Sequence, residues 1–501
     1  MSDPQPHGTG TRRITAGDLA AALPGSRLSG DPATPIRGVT NDSRSVRPGD
    51  LFACIPGLKE DGHRYIPEAL ARGAACLLVQ RPMAAAGAAL LQVANTRRAL
   101  GDAAAWFHGQ PSRCLRVLAV TGTNGKTTTA HLIQAALQAN GRPAGLIGTV
   151  HNLVGSRPQP ARRTTPDSPE LQELLAAMVA AGDTHAVLEA SSHALALERL
   201  RCCEVDTAVF TNLTRDHFDF HRDRAAYLAA KARLFKDLGA DARKTGPKTA
   251  VLNADDPAWP RLAAATRAQV WTFGRAPDAT VRLLHTSAGL EGARATLECR
   301  GERIRLNLQL PGRFSLHNAV GALTACLAEG LAPQAIADAL AKVALVPGRH
   351  ERIPSDRGFT VLVDFAHNPA ALAEILELAR SAGGRVAVVF GCEGGKDPGK
   401  RPLMGAVAGR NADLVLFTSD NLFWEPYRDI AAAVEQGLRR ERAPYRLIPD
   451  RREAIREALA WAQPGDVVVV AGKGHETHQI IGDRRIPFDD RQVVRRILER
   501  L

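Results

Sequence analysis

A chain of 501 residues is too long for one ordinary hydrophobic core and calls for about three domains. Its hydrophobic content of 45% and charged content of 23% exclude a disordered or fibrous protein, and apolar runs such as Val467 to Ala471 are too short to span a bilayer. The formal charge of +12 comes from scattered Lys and Arg accompanied by only five Trp and four Tyr, which favours polyanionic small substrates over nucleic acid.

The first residues, to about Arg13, are polar and rich in Pro and Gly. They lack the apolar stretch of a signal peptide and read as a frayed terminus of a cytoplasmic protein. Up to about Gln110 short strands alternate with turns, for example Asp50 to Ile55 after the Pro48-Gly49 turn, and an Ala-rich helical stretch follows. From Leu115 to about Val346 strand-like runs (Arg116 to Val120, His185 to Glu189, Val205 to Phe210, Thr249 to Leu252) alternate with helical patterns. That alternation predicts a mostly parallel sheet covered by helices. Lys244 to Lys248 reads as a flexible surface loop. A second α/β pattern begins near Pro347, with strands at Thr360 to Asp364, Val386 to Phe390, Leu414 to Thr418, Arg446 to Ile448 and Val467 to Ala471. The eight cysteines show no CxxC spacing and read as buried free thiols in a reducing compartment.

The segment Thr121 to Thr128 (TGTNGKTT) lies between the first strand of the central block and a helical run reaching Asn140. Gly122 and Gly125 let backbone N–H groups approach phosphate oxygens, and a helix N-terminus adds its positive dipole end. Lys126 can reach terminal phosphates, and the Thr127 hydroxyl suits Mg²⁺. Val120 stands where the longer form of the motif has its first glycine, so the loop is a variant one. Glu189, ending its strand, is a natural carboxylate for the metal.

The octet resembles the phosphate loop of the Mur ligases, and other segments fit that family in order along nearly the whole chain. They are Asp42-Ser43-Arg44, Thr164-Thr165-Pro166, Glu189 to His193 (EASSH), Thr211 to His217 (TNLTRDH), Asn253 to Asp256 (NADD), His317-Asn318, Pro347-Gly348-Arg349, Asp364 to Pro369 (DFAHNP), Gly399 to Met404 (GKRPLM) and Gly472 to Glu476 (GKGHE). GKRPLM, GKGHE, Asp489-Asp490-Arg491 and the N-terminal DSR are similar to the branch that adds the third residue of the cytoplasmic peptidoglycan precursor.

The resemblance implies an α/β protein of three domains. Residues 1–110 would bind the uridine nucleotide, 111–346 would form a parallel-sheet P-loop ATPase, and 347–501 a Rossmann-like domain receiving the amino acid. It implies ATP with Mg²⁺, a UDP-MurNAc-dipeptide and a free amino acid as partners, no nucleic acid, no membrane insertion and a monomer. Gly122, Thr123, Asn124, Gly125, Lys126, Thr127 and Thr128, with Asn253, Asn318, Arg349, Asp364 and His367, would surround ATP. Thr127, Glu189, His217 and a carbamylated Lys231 would face the metal, with Lys126, Lys231, His217 and Glu189 catalytic. Ser43 would contact the uracil end, and Thr164, Thr165, Ser191 and Arg199 the muramoyl-dipeptide. Arg401, Asp420, Asn421, Gly472 and Glu476 would hold the amino acid. The implied chemistry is phosphorylation of a carboxylate to an acyl phosphate, followed by attack of an amine. The neighbouring Asp216, His217, Asp219 and His221 lack the well-spaced further ligands of a zinc site.

Two departures stand out. Family members that use meso-diaminopimelate carry Asp-Asn-Pro-Arg where this chain reads Asp420-Asn421-Leu422-Phe423, and the lost Arg would pair with that amino acid's distal carboxylate. Gly391 to Lys396 (GCEGGK) places Glu393 and Gly395 where a glycine and an aspartate are common. The expectation is therefore a third-residue ligase adding diaminopimelate, with a base such as Arg428 standing in, or adding another amino acid, with Glu393 facing its ammonium. A paralogue acting on a different carboxylate is the alternative, and a non-catalytic nucleotide-binding protein the reading from another class.

Overall fold

The computed structural model describes residues 13–57, 60–83, 87–239 and 244–501. The reading of the first residues as frayed therefore lies outside the described residues, save Arg13. The chain divides into two compact units, one built from segments within 1–119, 142–206 and 237–248, the other from 120–141, 207–236 and 249–501.

The first unit contains a five-stranded sheet ordered Arg27–Ser29, Ala89–Gln92, Cys76–Val79, Asp50–Ala53, Gly38–Thr40. All its pairings are parallel except that of the outermost strand Arg27–Ser29. The central strands are apolar throughout because both faces are covered, one around Leu19, Leu78 and Leu100, the other around Phe52, Leu77 and Ile66. The same unit pairs His185–Glu189 in parallel with Ala144–Ile147, then adds His151–Val154 and Arg157–Pro160 antiparallel.

Lys244 to Lys248 departs from the expected flexible loop. The side chains of its two lysines are 9% exposed and both pair with Asp206, which also accepts from the Val117 N–H and from Arg116. A fully buried carboxylate needs such compensation, and the loop is anchored by supplying it. The cysteines follow the expectation in part: five are buried, whereas Cys114 and Cys202 are exposed.

In the second unit Thr207–Phe210, Thr249–Asn253, Gln269–Gly274 and Val281–Gly289 run parallel. Gly292–Cys299 and Glu302–Leu308 extend that sheet antiparallel, a meander that the sequence reading passed over. A six-stranded sheet follows in the order Glu351–Ile353, Thr360–Asp364, Val467–Ala471, Val386–Phe390, Leu414–Phe417, Tyr445–Leu447, parallel except at the first pair. Helices Pro369–Arg380, Arg401–Asn411 and Tyr427–Leu438 cover one face, and Arg451–Trp461 and Asp490–Leu498 the other. Val467–Ala471 inserts between two earlier strands and arrives from the opposite face. This is a topological switch, and open α/β sheets bind ligands at the carboxyl ends of the strands there. Among the described residues no helix is long and apolar enough to cross a membrane.

Candidate functional site

The strand Arg116–Thr121 ends in the phosphate loop, and the helix Lys126–Ala139 starts immediately after it. Gly122 and Gly125 have φ of 151° and 85°, backbone that only glycine adopts readily. A Cβ on Gly125 would lie 2.2 Å from Asn318 Oδ1, so the asparagine amide packs directly on the loop. No side chain caps the helix N-terminus. Its uncapped N–H groups and dipole fit a phosphate chain. Lys126 Nζ donates to the carbonyls of Gly122 (3.0 Å) and Thr123 (2.8 Å), folded over its own loop.

Second-unit residues far apart in sequence converge on this loop. Arg349 donates to Thr127 Oγ1 (3.1 Å) and lies over the Phe365 ring. Asn368, wholly buried, donates to Asn124 (2.9 Å) and to Asp216 (3.2 Å) while capping the helix Pro369–Arg380. His367 Nε2 lies 3.3 Å from the same Asp216. Burial alone would raise the Asp216 pKa, but the His367 hydrogen bond and the charges of His367, His217 and Lys400 carry it well below the usual carboxylate range. Asn253 donates to Thr211 O and accepts from His317, so its amide is spent in holding two strand ends. Asp364 accepts from the His350 and Ala366 N–H groups (2.7 Å each).

Glu374 stands behind Asp364. Burial, then the Asp364 charge, raise its pKa well above the ordinary 4.5. A folded pKa above the unfolded one means the native state holds the extra proton, so stability is intact below about pH 4.5 and falls as pH rises through the folded value. Glu374→Gln is expected to match the parent in acid and to exceed it increasingly towards neutrality, measured as the urea midpoint across pH. A constant offset at every pH would refute the assignment.

Lys231 lies on the helix Arg224–Asp237 and is wholly buried. Its Nζ donates to Gly122 O (2.7 Å) and sits 4.3 Å from the centre of the Tyr227 ring, against which His217 also packs edge-on. His217 adopts φ of 58° and donates its N–H to Asp216.

As metal ligands these side chains fit unequally. The Thr127 hydroxyl is an oxygen donor at the right end of the loop. A protonated Lys231 would repel a cation, whereas a carbamate there would offer the oxygen ligands that Mg²⁺ prefers. Among the described residues no three His, Cys, Asp or Glu side chains cluster as a ready-made metal set.

On the first unit, Glu189 is fully buried and held at both oxygens by Thr149, through its N–H (2.7 Å) and hydroxyl (3.0 Å). Gly148 leaves room for it, since a Cβ there would fall 2.5 Å from Glu189 Oε1. Thr165 donates to Glu189 O and shares a hydrogen bond with Ser191, while the Thr164 and Thr149 hydroxyl oxygens lie 3.1 Å apart. Arg199 donates to Thr165 O and pairs with Asp167. Ser43 lies apart from this group and donates to Glu68 (2.7 Å).

At the switch point of the six-stranded sheet the remaining candidates meet. Asn421 donates to Glu476 (3.0 Å) and Glu393 (3.3 Å) and accepts from Lys473 (3.1 Å) and the Ile480 N–H (3.0 Å). Gly472, at φ of 113°, lets Asp420 approach; a Cβ would lie 2.7 Å from that carboxylate. Arg401 makes a two-pronged pair with Glu425 (2.5 and 2.7 Å). Arg428 is 86% exposed, pairs with Asp429 and takes no part in the Asn421 network. Sequence reading missed Asn368, Thr149, Lys473 and Glu425. The first and third lie inside motifs already singled out, whereas Thr149 and Glu425 carry no local signal.

Three family descriptions match the chain: "Mur ligase family, catalytic domain" over residues 35–108, "Mur ligase middle domain" over 120–326 and "Mur ligase, glutamate ligase domain" over 348–474. The UDP-N-acetylmuramoyl-L-alanyl-D-glutamate--2,6-diaminopimelate ligase of Geobacillus kaustophilus is 43% identical, covering 95% of this chain and 98% of its own. The protein of the same name from Caldanaerobacter subterraneus subsp. tengcongensis is 40% identical, covering 94% and 96%. A solved structure of a ligase of that name superposes with a TM-score of 0.67 at 32% identity, covering 98% of this chain and 99% of that one. A Mycobacterium tuberculosis folylpolyglutamate synthase shares the fold, at a TM-score of 0.60 and 22% identity over 76% of this chain. Identity of 40–43% over nearly the whole chain, with three Mur ligase domain matches in order, establishes that the chain belongs to the Mur ligase family.

Proposed function

We propose that this protein is an ATP-dependent amide ligase that adds the third amino acid to UDP-N-acetylmuramoyl-L-alanyl-D-glutamate in the cytoplasm. The observation carrying this reading is the phosphate loop, with Lys126 and the uncapped helix beside it, in a chain of which 94–95% matches ligases named for that substrate. Three domains, 1–110, 111–346 and 347–501, divide the work between nucleotide sugar, ATP and amino acid.

In the first step an oxygen of the acceptor carboxylate attacks the γ-phosphorus of ATP and ADP leaves. The product is an acyl phosphate, whose leaving group is phosphate rather than oxide. The α-amine of the incoming amino acid then attacks the acyl carbon, phosphate departs, and the amine loses a proton. Lys126 and the helix N–H groups offset the charge on the transferring phosphoryl group. Arg349 orients Thr127, and Asn368 fixes Asn124 against Asp216 and keeps the loop in shape. The Thr127 hydroxyl, His217 and a carbamylated Lys231 would hold Mg²⁺, as would the Glu189 carboxylate on the first unit, and the ion would supply further charge neutralisation. Thr164, Thr165, Ser191 and Arg199 hold the dipeptide, Ser43 the uracil end, and Arg401, Asp420, Asn421, Gly472 and Glu476 the amino acid.

The test is phosphate release from ATP with UDP-MurNAc-L-Ala-D-Glu and a panel of amino acids. Release that requires both the acceptor and an amino acid is expected. Absence of release with every amino acid overturns the reading.

A further inference from the structure

Around Asn421 the second unit gathers three carboxylates, Glu393, Asp420 and Glu476, and one ammonium, Lys473. The Lys473 charge is already committed: its Nζ donates to Glu476 (2.7 Å) and to Asn421 (3.1 Å), and Asp420 lies 3.6 Å away. Glu393 receives only the Asn421 amide, at 3.3 Å, from the described residues. Burial first, then the Asp420 and Glu476 charges, raise its pKa, and Lys396 and His367 oppose them only in part. Among the described residues Lys473 is the one cation hydrogen-bonded to these carboxylates, and it does not reach Glu393.

A second carboxylate finds the opposite situation. Phe423, two residues after Asn421, is apolar, and its backbone is held at φ of 51° by pairing with Ile480 and Gly482. Leu422 is partly buried and packs against the core on one face of the sheet. Arg401 spends its terminal nitrogens on Glu425, and Arg428 is out in solvent. One donor remains: Arg401 Nε, in a residue only 4% exposed and bonded to Glu393 O, has no acceptor. A buried N–H without a partner costs free energy until an acceptor arrives. The α-carboxylate of a substrate supplies one. The same site thus offers a donor without an acceptor at Arg401 Nε and lacks a cation at Glu393.

Resting on the proposed function, we infer that the incoming amino acid is a diamino acid without a second carboxylate, of the lysine or ornithine type. Its α-carboxylate meets Arg401, and its side-chain ammonium is read by Glu393, with Asp420 and Glu476 beside it. Glu393 is then the residue that sets the preference, and Glu425 acts indirectly by withholding Arg401 from a second carboxylate.

The experiment compares kcat/KM for L-lysine, L-ornithine, meso-diaminopimelate and L-norleucine in the parent, Glu393→Gln and Glu425→Gln. In the parent a monocarboxylic diamino acid should exceed both meso-diaminopimelate and norleucine by about tenfold or more. Glu393→Gln should lose about 10- to 100-fold on that substrate, mostly through KM, the scale of one charge-assisted hydrogen bond. Its activity on norleucine should not fall. Glu425→Gln should shift the ratio towards meso-diaminopimelate. Parent preference for meso-diaminopimelate, or an equal loss on all substrates in Glu393→Gln, overturns the inference.

Two controls separate this inference from the reading beneath it. Hydroxylamine traps an acyl phosphate as a hydroxamate and needs no amino acid, so its failure indicts the ligase reading alone. Calorimetry with lysine and norleucine, in the presence of UDP-MurNAc-L-Ala-D-Glu and a non-hydrolysable ATP analogue, reads the pocket without turnover. Tighter binding of lysine that vanishes in Glu393→Gln supports the inference, and equal binding of the two ligands refutes it.

Discussion

Replacing Asp490 with leucine should destabilise the second unit by about 3–5 kcal/mol, the scale of leaving a buried charge without its partner. Arg451 is wholly buried on the helix Arg451–Trp461 and holds Asp490 through two bonds, at 2.8 and 2.7 Å. The same guanidinium donates to Ala471 O (2.8 Å) and Ser419 O (3.5 Å). Those carbonyls immediately precede Gly472 and Asp420, so the pair braces the two strand ends that carry the amino-acid pocket. The loss should therefore show twice, as a lower urea midpoint and as a raised KM for the amino acid with little change for ATP. Removing both partners in Arg451→Met/Asp490→Leu should recover much of the stability, because no unpaired charge remains. It should not recover the KM, because the two carbonyls are still unbraced. A double variant no more stable than Asp490→Leu would show that the pair does not work this way.

Much of this arrangement was legible in the sequence for simple reasons. Val467–Ala471 and Val386–Phe390 are buried on both faces, so they read as unbroken apolar runs bounded by turn residues. The phosphate loop was legible because its function lies in local backbone geometry, where glycine is needed at positive φ. The meander Val281–Gly289, Gly292–Cys299, Glu302–Leu308 was missed for the converse reason. Its burial alternates with polar residues such as Arg294, Arg303 and Arg305, and no long apolar run marks it.

The joining of the site was legible far less. Arg349 reaches Thr127 across 222 positions and Asn368 reaches Asn124 across 244. Spacing in the chain carries no information about such contacts. Motif membership named Arg349, yet gave no sign that its partner would be the Thr127 hydroxyl. The loss of the arginine at Phe423 was visible as an absence. That Arg401 could not replace it became clear only with Glu425 in place. Lys244 to Lys248 misled because a lysine-rich loop ordinarily marks solvent, and only Asp206, distant in sequence, shows why this one is tied down.

Lys231→Met should lower phosphate release by about 10²–10³-fold, the scale of losing one group that stabilises transition-state charge. Burial, then the neighbouring Lys126 charge, press the Lys231 pKa well below the ordinary 10.5, with Asp216 opposing them in part. A neutral amine keeps its lone pair. It can attack the carbon of CO₂, forming an N–C bond and releasing a proton, and the carbamate carries a carboxylate-like charge to the phosphate loop. Intact mass of the native parent should show the added carbamate, and short carboxylic acids should restore part of the activity of Lys231→Ala by filling the vacated space. The fold should respond in the other direction. Because the folded pKa lies below the unfolded one, the unfolded chain holds more protons between the two values, and parent stability rises with pH across that window. With CO₂ excluded, Lys231→Met should therefore be more stable than the parent, most clearly in acid, with the advantage fading as pH approaches about 10.5. Full turnover by Lys231→Met would sink the assignment, whereas loss of turnover with a gain in stability identifies a buried amine kept for its chemistry.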